Sequence, residues 1–185
     1  MTMLVGVGLA LSLVNAASDV PAAAANSGPL TRLIDEAAQR LLTADPVAAS
    51  KYLTGGAIDD PAREQQVIDS VTASASAKHI DADFVRDAFR NQIDATDSLE
   101  HSRFAAWKID PGSAPKSAPD LSTTRNAINN LNEAIVDDIA AQWNVLQAPT
   151  CPADLDDAKA AAIALHHLDP LYQHALDYAV HGYCR

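Results

Sequence analysis

Residues 81–107 read DADFVRDAFRNQIDATDSLEHSRFAAW. Phe84, Ala88, Gln92/Ile93, Thr96 and Leu99 recur every three or four positions, the spacing of one face of a helix. Asp81 stands where an N-cap would accept the free amides of the first turn. The stretch predicts one long helix with a continuous inward stripe, and the rest of the chain continues in the same period.

Upstream, Leu30, Leu33/Ile34, Ala37/Ala38 and Leu41 form a shorter stripe. Asp45-Pro46 has the form of an N-cap followed by proline in the first turn, so a helix restarts or bends there and ends at Gly55-Gly56. A further helix is expected over about 60–77. Downstream, KIDPGSAPKSAPD (108–120) is a Pro/Ser/Gly-rich loop between helices. Asp120 then opens a long helix with Ile128, Leu131, Ile135 and Ile139 as its stripe. Helices follow over about 152–166 and, after Asp169-Pro170, to near Cys184. No stretch keeps a sustained period of two. The reading is an all-α single domain of about six helices.

The chain has 185 residues, 48% of them hydrophobic, enough for one domain with a core. It carries 13 Lys+Arg against 24 Asp+Glu, a net charge of −11, which argues against a nucleic-acid partner because phosphate recognition needs a basic field. Neither common glycine-rich nucleotide fingerprint occurs, nor a G-x-S-x-G or H-E-x-x-H string. Glycine is scarce, with 7 residues, and alanine abundant, in keeping with helices.

Residues 3–14, MLVGVGLALSLV, are too short to span a bilayer but long enough for the core of an export signal. Small-residue cleavage points follow, so residues 1–25 are expected to be a signal peptide cut between about 16 and 25. Residues 26–185 form the mature domain, secreted or periplasmic and without stable membrane insertion once the signal is removed. No Lys or Arg precedes the run, and a buried N-terminal helix is the other reading. In an oxidising compartment Cys151 and Cys184 are expected to pair, tying the C-terminal helices; two free buried thiols are the alternative. The six histidines are scattered and predict no metal site.

Several polar residues fall on or beside apolar stripes. Arg40 and Lys51 would share a face if the helix between them were continuous. Asp60, Arg63 and Glu64 are mutual neighbours on one turn. Thr96 and Glu100 are one turn apart on the long helix, and a carboxyl there has a raised pKa. Arg125 lies one turn into the helix after Asp120. Each is also consistent with an ordinary solvated charge.

Taken in order, the strings AAQRLLTADPVAASKY (37–52), IDDPAREQQV (58–67), HIDADFV (79–85), SRFAAWKIDPGSAP (102–115), APDLSTTRNAINNLN (118–132) and HHLDPLYQHAL (166–176) resemble the secreted subclass of the all-helical chorismate mutases. The resemblance implies an isomerase that rearranges chorismate to prephenate without metal or cofactor, in long helices packed around a buried cationic pocket. It implies Arg40 and Arg125 as carboxylate anchors and Lys51 as the cation at the ether oxygen. Glu100 would be the second donor to that oxygen, and Arg63 would orient the site. Asp60 and Glu64 would face the ring hydroxyl, and Thr96 the ring-carboxylate end. Val67 departs from relatives that are polar at that position. The resemblance also implies a homodimer with a complete site in each chain. A non-catalytic exported helical protein acting as a binding module is the alternative.

Overall fold

The structure, a computed structural model, describes residues 28–185; the expected signal peptide lies outside them. Four of the helices start where a side chain can take up their free amides. Asp60, Asp81, Asp120 and Asp169 accept backbone N–H groups in the first turns of α3 (Pro61–Ala77), α4 (Ala82–Ile109), α5 (Leu121–Ala141) and α8 (Pro170–Val180). Such caps contribute about 1 kcal/mol each. The remaining helices are α1 (Thr31–Leu42), α2 (Ala44–Thr54), the single-turn α6 (Trp143–Leu146) and α7 (Cys151–His166). A 3-10 turn over Pro111–Ser113 sits in the proline-rich loop. No strand occurs among the described residues.

Two helices organise the packing. α4 lies against α2, α3 and α8, and α1 lies against α5, α7 and α8. Their apolar stripes, Leu33, Ile34, Ala37, Ala38 and Leu41 on α1 and Phe84, Ala88, Phe89, Ile93 and Leu99 on α4, are all buried. Cys151, at the start of α7, is bonded to Cys184 just after α8, and the Arg185 amide donates to the Leu146 carbonyl. The end of the chain is thereby fastened to the α6–α7 corner.

The α1–α2 junction differs from expectation. The chain turns at Thr43, whose hydroxyl donates to the Arg40 carbonyl at 2.6 Å, and α2 already begins at Ala44. Asp45 is therefore inside the helix and is not its cap. Its carboxylate instead accepts two hydrogen bonds from Arg103 of α4, at 2.6 and 3.0 Å, and one from the Tyr172 hydroxyl of α8 at 2.8 Å. A bidentate guanidinium is a stronger partner than a helix amide. The same break means that Arg40 and Lys51 do not share one continuous helix. They converge because α1 and α2 both lean on α4. Gly55 closes α2 at φ 70°, a left-handed position that favours glycine.

Replacing Cys151 and Cys184 by serine should lower stability by about 3.5–4 kcal/mol, the chain-entropy value for a loop of this length. Neither cysteine lines the cavity described below, so activity below the melting point should be retained. Urea unfolding and turnover of the double variant, measured together, check both statements.

Candidate active site

Arg40, Lys51, Asp60, Arg63, Glu64, Thr96, Glu100 and Arg125 all line one cavity enclosed by α1 to α5. The cavity and its mouth contain about 570 Å³ of empty space, within the range of small-molecule sites. Val47, Ile58, Val67, Ile93 and Ile128 supply apolar walls. Val67, the position expected to depart from polar relatives, is part of that wall.

Arg40 is 4% exposed. Its Nε donates to Asn132 Oδ1 at 2.8 Å, and its Nη1 to Thr96 Oγ1 at 3.2 Å and to the Gln92 carbonyl at 3.3 Å. The Thr96 hydroxyl in turn donates to the Gln92 carbonyl. Every acceptor is neutral. Burial lowers the Arg40 pKa to about 10, which still leaves it charged at neutral pH.

Lys51 Nζ donates to the Ile58 carbonyl at 2.7 Å and to Glu100 Oε2 at 2.8 Å, in a buried setting. Glu100 is 2% exposed. Burial raises its pKa to about 7, outweighing the opposing pull of Lys51. Around neutral pH this carboxyl is therefore present in part as a hydrogen-bond donor. Asp97, between Thr96 and Glu100 in sequence, also lines the cavity, and burial followed by the nearby Glu64 raises it to about 6.

The outer rim is more exposed. Arg125 Nη2 donates to Asp60 Oδ2 at 2.9 Å. Asp120, the neighbour available to it along the sequence, is occupied in capping α5. Asp60 also accepts the Arg63 amide through Oδ1, so one carboxylate caps α3 and steadies Arg125. Arg63 Nη2 donates to Asn129 Oδ1 at 2.6 Å. Its pKa is lowered by partial burial and by Arg125. Glu64 accepts from Arg90 at 2.8 Å.

Sequence reasoning did not find Asp97, Arg90, Asn129, Asn132 or the Ile58 carbonyl. One signal was present: Arg125, Asn129 and Asn132 follow at i, i+4 and i+7, a polar line along α5. The arrangement is one of placed charge. Four cations face four carboxyls, and two of those carboxyls, Asp97 and Glu100, are shifted toward their neutral forms. With both neutral the site carries surplus positive charge and a carboxylic-acid donor beside a lysine, in an otherwise acidic chain. Such an arrangement suits a small polyanion and can stabilise developing negative charge by placed donors, the features of a helical enzyme-type site.

Known proteins narrow the class. The chorismate mutase type II family matches residues 31–101. A secreted chorismate mutase of Mycolicibacterium smegmatis is 59% identical over 164 residues, covering 89% of this chain and 91% of that protein. One from Mycobacterium tuberculosis is 42% identical over 181 residues, covering 98% and 91%. The crystal structure of a chorismate mutase from Burkholderia thailandensis superposes with a TM-score of 0.79 at 33% identity, covering 84% of this chain and 99% of that one. The chain belongs to the secreted chorismate mutases. No described helix is long and apolar enough to cross a membrane.

The Glu100 shift makes stability depend on pH. Between about 4.5 and about 7 the folded chain keeps a proton that the unfolded chain has released. The stability held by the neutral acid is therefore complete below about 4.5 and is lost as pH rises through about 7. The melting temperature of the wild type minus that of Glu100→Gln should fall across that window and level off above it. A difference that is flat or rises there contradicts the assignment.

Proposed function

We propose that this cavity rearranges chorismate to prephenate, and that the observation carrying the reading is the buried Lys51–Glu100 pair at 2.8 Å inside a ring of guanidiniums. The reaction is intramolecular. The ether C–O bond breaks as a C–C bond forms, three electron pairs shift around a six-atom ring, and nothing enters or leaves. The protein needs to hold a folded dianion and to stabilise negative charge gathering on the ether oxygen.

In this reading Arg40 and Arg125 bind the two carboxylates, each charged hydrogen bond contributing roughly 1.5–3 kcal/mol. Arg125 exchanges Asp60 for substrate, and the released carboxylate becomes an acceptor for the ring hydroxyl. Glu64, steadied by Arg90, faces the same end. Thr96 holds Arg40 and borders the ring carboxylate. Arg63 closes the site from α3. Lys51 donates to the ether oxygen, and the neutral acid of Glu100 donates alongside it. An ionised Glu100 would oppose the developing charge, because an ether oxygen only accepts hydrogen bonds. Four cations facing one cavity support catalysis over a non-catalytic binding scaffold.

The proposal extends to the assembly and to processing. All eight proposed site residues come from one chain, so a dimer would not share sites. Leu53 and Ile109 are exposed at the ends of α2 and α4, within two residues of the Tyr52–Phe104–Trp107 cluster, and a second copy of the chain would cover this apolar region. Light scattering of the mature protein tests the dimer, and N-terminal sequencing of the exported form tests cleavage between about 16 and 25.

Loss of chorismate absorbance with purified mature protein tests the activity itself. Lys51→Ala should lower kcat by about 10²–10³-fold, the effect of removing one preorganised donor at a developing charge. Arg125→Ala should raise KM as well, because the carboxylate it binds is charged throughout. Wild-type kcat should fall as pH rises through the pKa of Glu100 in the complex, and Glu100→Gln should flatten that fall. A flat wild-type profile with a uniformly slower glutamine variant would remove Glu100 from this role.

A further inference from the structure

Most arginines of the described chain are held by carboxylates: Arg32 by Asp138, Arg86 by Asp83, Arg90 by Glu64, Arg103 by Asp45, Arg185 by Asp81 and, at the cavity rim, Arg125 by Asp60. Two cavity arginines are not. Arg40 donates through Nε to Asn132 Oδ1 at 2.8 Å, and Arg63 through Nη2 to Asn129 Oδ1 at 2.6 Å. Among the described residues neither has a carboxylate within ion-pair distance. The amide orientations are fixed by chemistry, because a guanidinium only donates and the atom facing it must be the oxygen. Asn129 and Asn132 are one turn apart on α5, in line with Arg125. They also border a second cavity between α3 and α5, which shares Arg63 and Val67 with the first.

An aspartate in place of Asn132 would have almost the same shape and would form a stronger, charge-assisted bond. It would also spend the guanidinium's charge inside the protein. A substrate carboxylate would then meet a neutralised partner with a like charge behind it. An amide keeps the orientation and leaves the charge free. Arg40 is the sharper case because it is 4% exposed, and water cannot screen what its neighbours do.

We infer that Asn132, and with it Asn129, are positioning residues that hold Arg40 and Arg63 by neutral acceptors, so that the charge of Arg40 stays available to a substrate carboxylate and that of Arg63 to the field that draws in the dianion. This rests on the chorismate reading and adds what makes its cationic pocket able to bind a dianion.

The test is steady-state turnover of chorismate by wild type, Asn132→Asp, Asn132→Ser and Asn129→Asp, with melting temperatures measured in parallel. Asn132→Asp should raise KM about tenfold or more with a smaller change in kcat, while melting at or above the wild-type temperature. Asn132→Ser loses the reach to Nε but adds no charge, so its KM should rise less. Asn129→Asp acts on a more exposed arginine and should raise KM about two- to threefold. A structural role alone would give the opposite order at position 132, with serine the more damaged and aspartate close to wild type; that result overturns the inference. If Asn132→Asp does not fold, the remaining pair decides: a raised KM for Asn129→Asp with a smaller rise for Asn132→Ser supports the inference, and an unchanged KM for Asn129→Asp overturns it. A wild type that does not consume chorismate overturns the functional reading instead, and that arm is read before any variant is compared.

Discussion

Keeping Arg40 charged in the middle of the helices is the constraint on which the rest of the structure depends. Removing a cation from water is expensive, and an unpaired buried charge ordinarily costs several kcal/mol. Here the expense is offset by three acceptors on two helices: Asn132 from α5, and the Gln92 carbonyl and Thr96 hydroxyl from α4. The α1–α4–α5 packing cannot shift without breaking this set. Thr96 sits where a helix hydroxyl returns to the carbonyl one turn back, which leaves its lone pairs turned to the arginine. The fold and the binding charge are therefore one problem with one solution.

Lys51 and Glu100 solve the same problem differently. Lys51 keeps a carboxyl partner, but that carboxyl is buried so thoroughly that desolvation carries it to about 7. The pair can hold a salt bridge in the empty site. When a dianion arrives and loads the cavity with negative charge, the acid form of Glu100 is the one favoured. Asp97, one turn before Glu100 and raised to about 6, titrates in the same region, so the two should behave as a coupled unit in a pH profile. The rim ion pairs Arg125–Asp60 and Arg90–Glu64 are half in solvent and can exchange partners at little cost.

Much of this was legible in the sequence because it is local. The caps at Asp60, Asp81, Asp120 and Asp169 act within three residues, and the stripes on α1 and α4 act over three or four. What stayed hidden is long-range. Asp45 looked like a cap because Arg103 and Tyr172, its actual partners, lie 58 and 127 residues away. Asn132 gives no sign of its partner in the sequence, because Arg40 is 92 residues upstream. Asp97 carries no signal of its own in the sequence. Burial in the assembled cavity, and then Glu64 brought near it by α3, makes it unusual. Arg40 stood out by its closeness to an apolar stripe, Lys51 by its spacing from Arg40 and Arg63 by its neighbours on one turn, while their roles came from the family resemblance.

The chain's −11 charge and its anionic ligand are compatible because the two act over different distances. Surface charge is screened within about 8–10 Å at ordinary ionic strength. The cavity cations are buried or half-buried, where screening is weaker and their pull correspondingly larger. An acidic exterior serves solubility and repels non-specific anions, while the interior selects one that can reach Arg40. That selection depends on the acids inside the cavity giving way. Two are shifted toward neutrality by burial, and two are tied to arginines that can release them. A site with four cations and four firmly ionised carboxylates would attract no dianion. In the proposed reaction, the burial that raises Glu100 and Asp97 would thus belong to substrate recognition as much as to the chemical step.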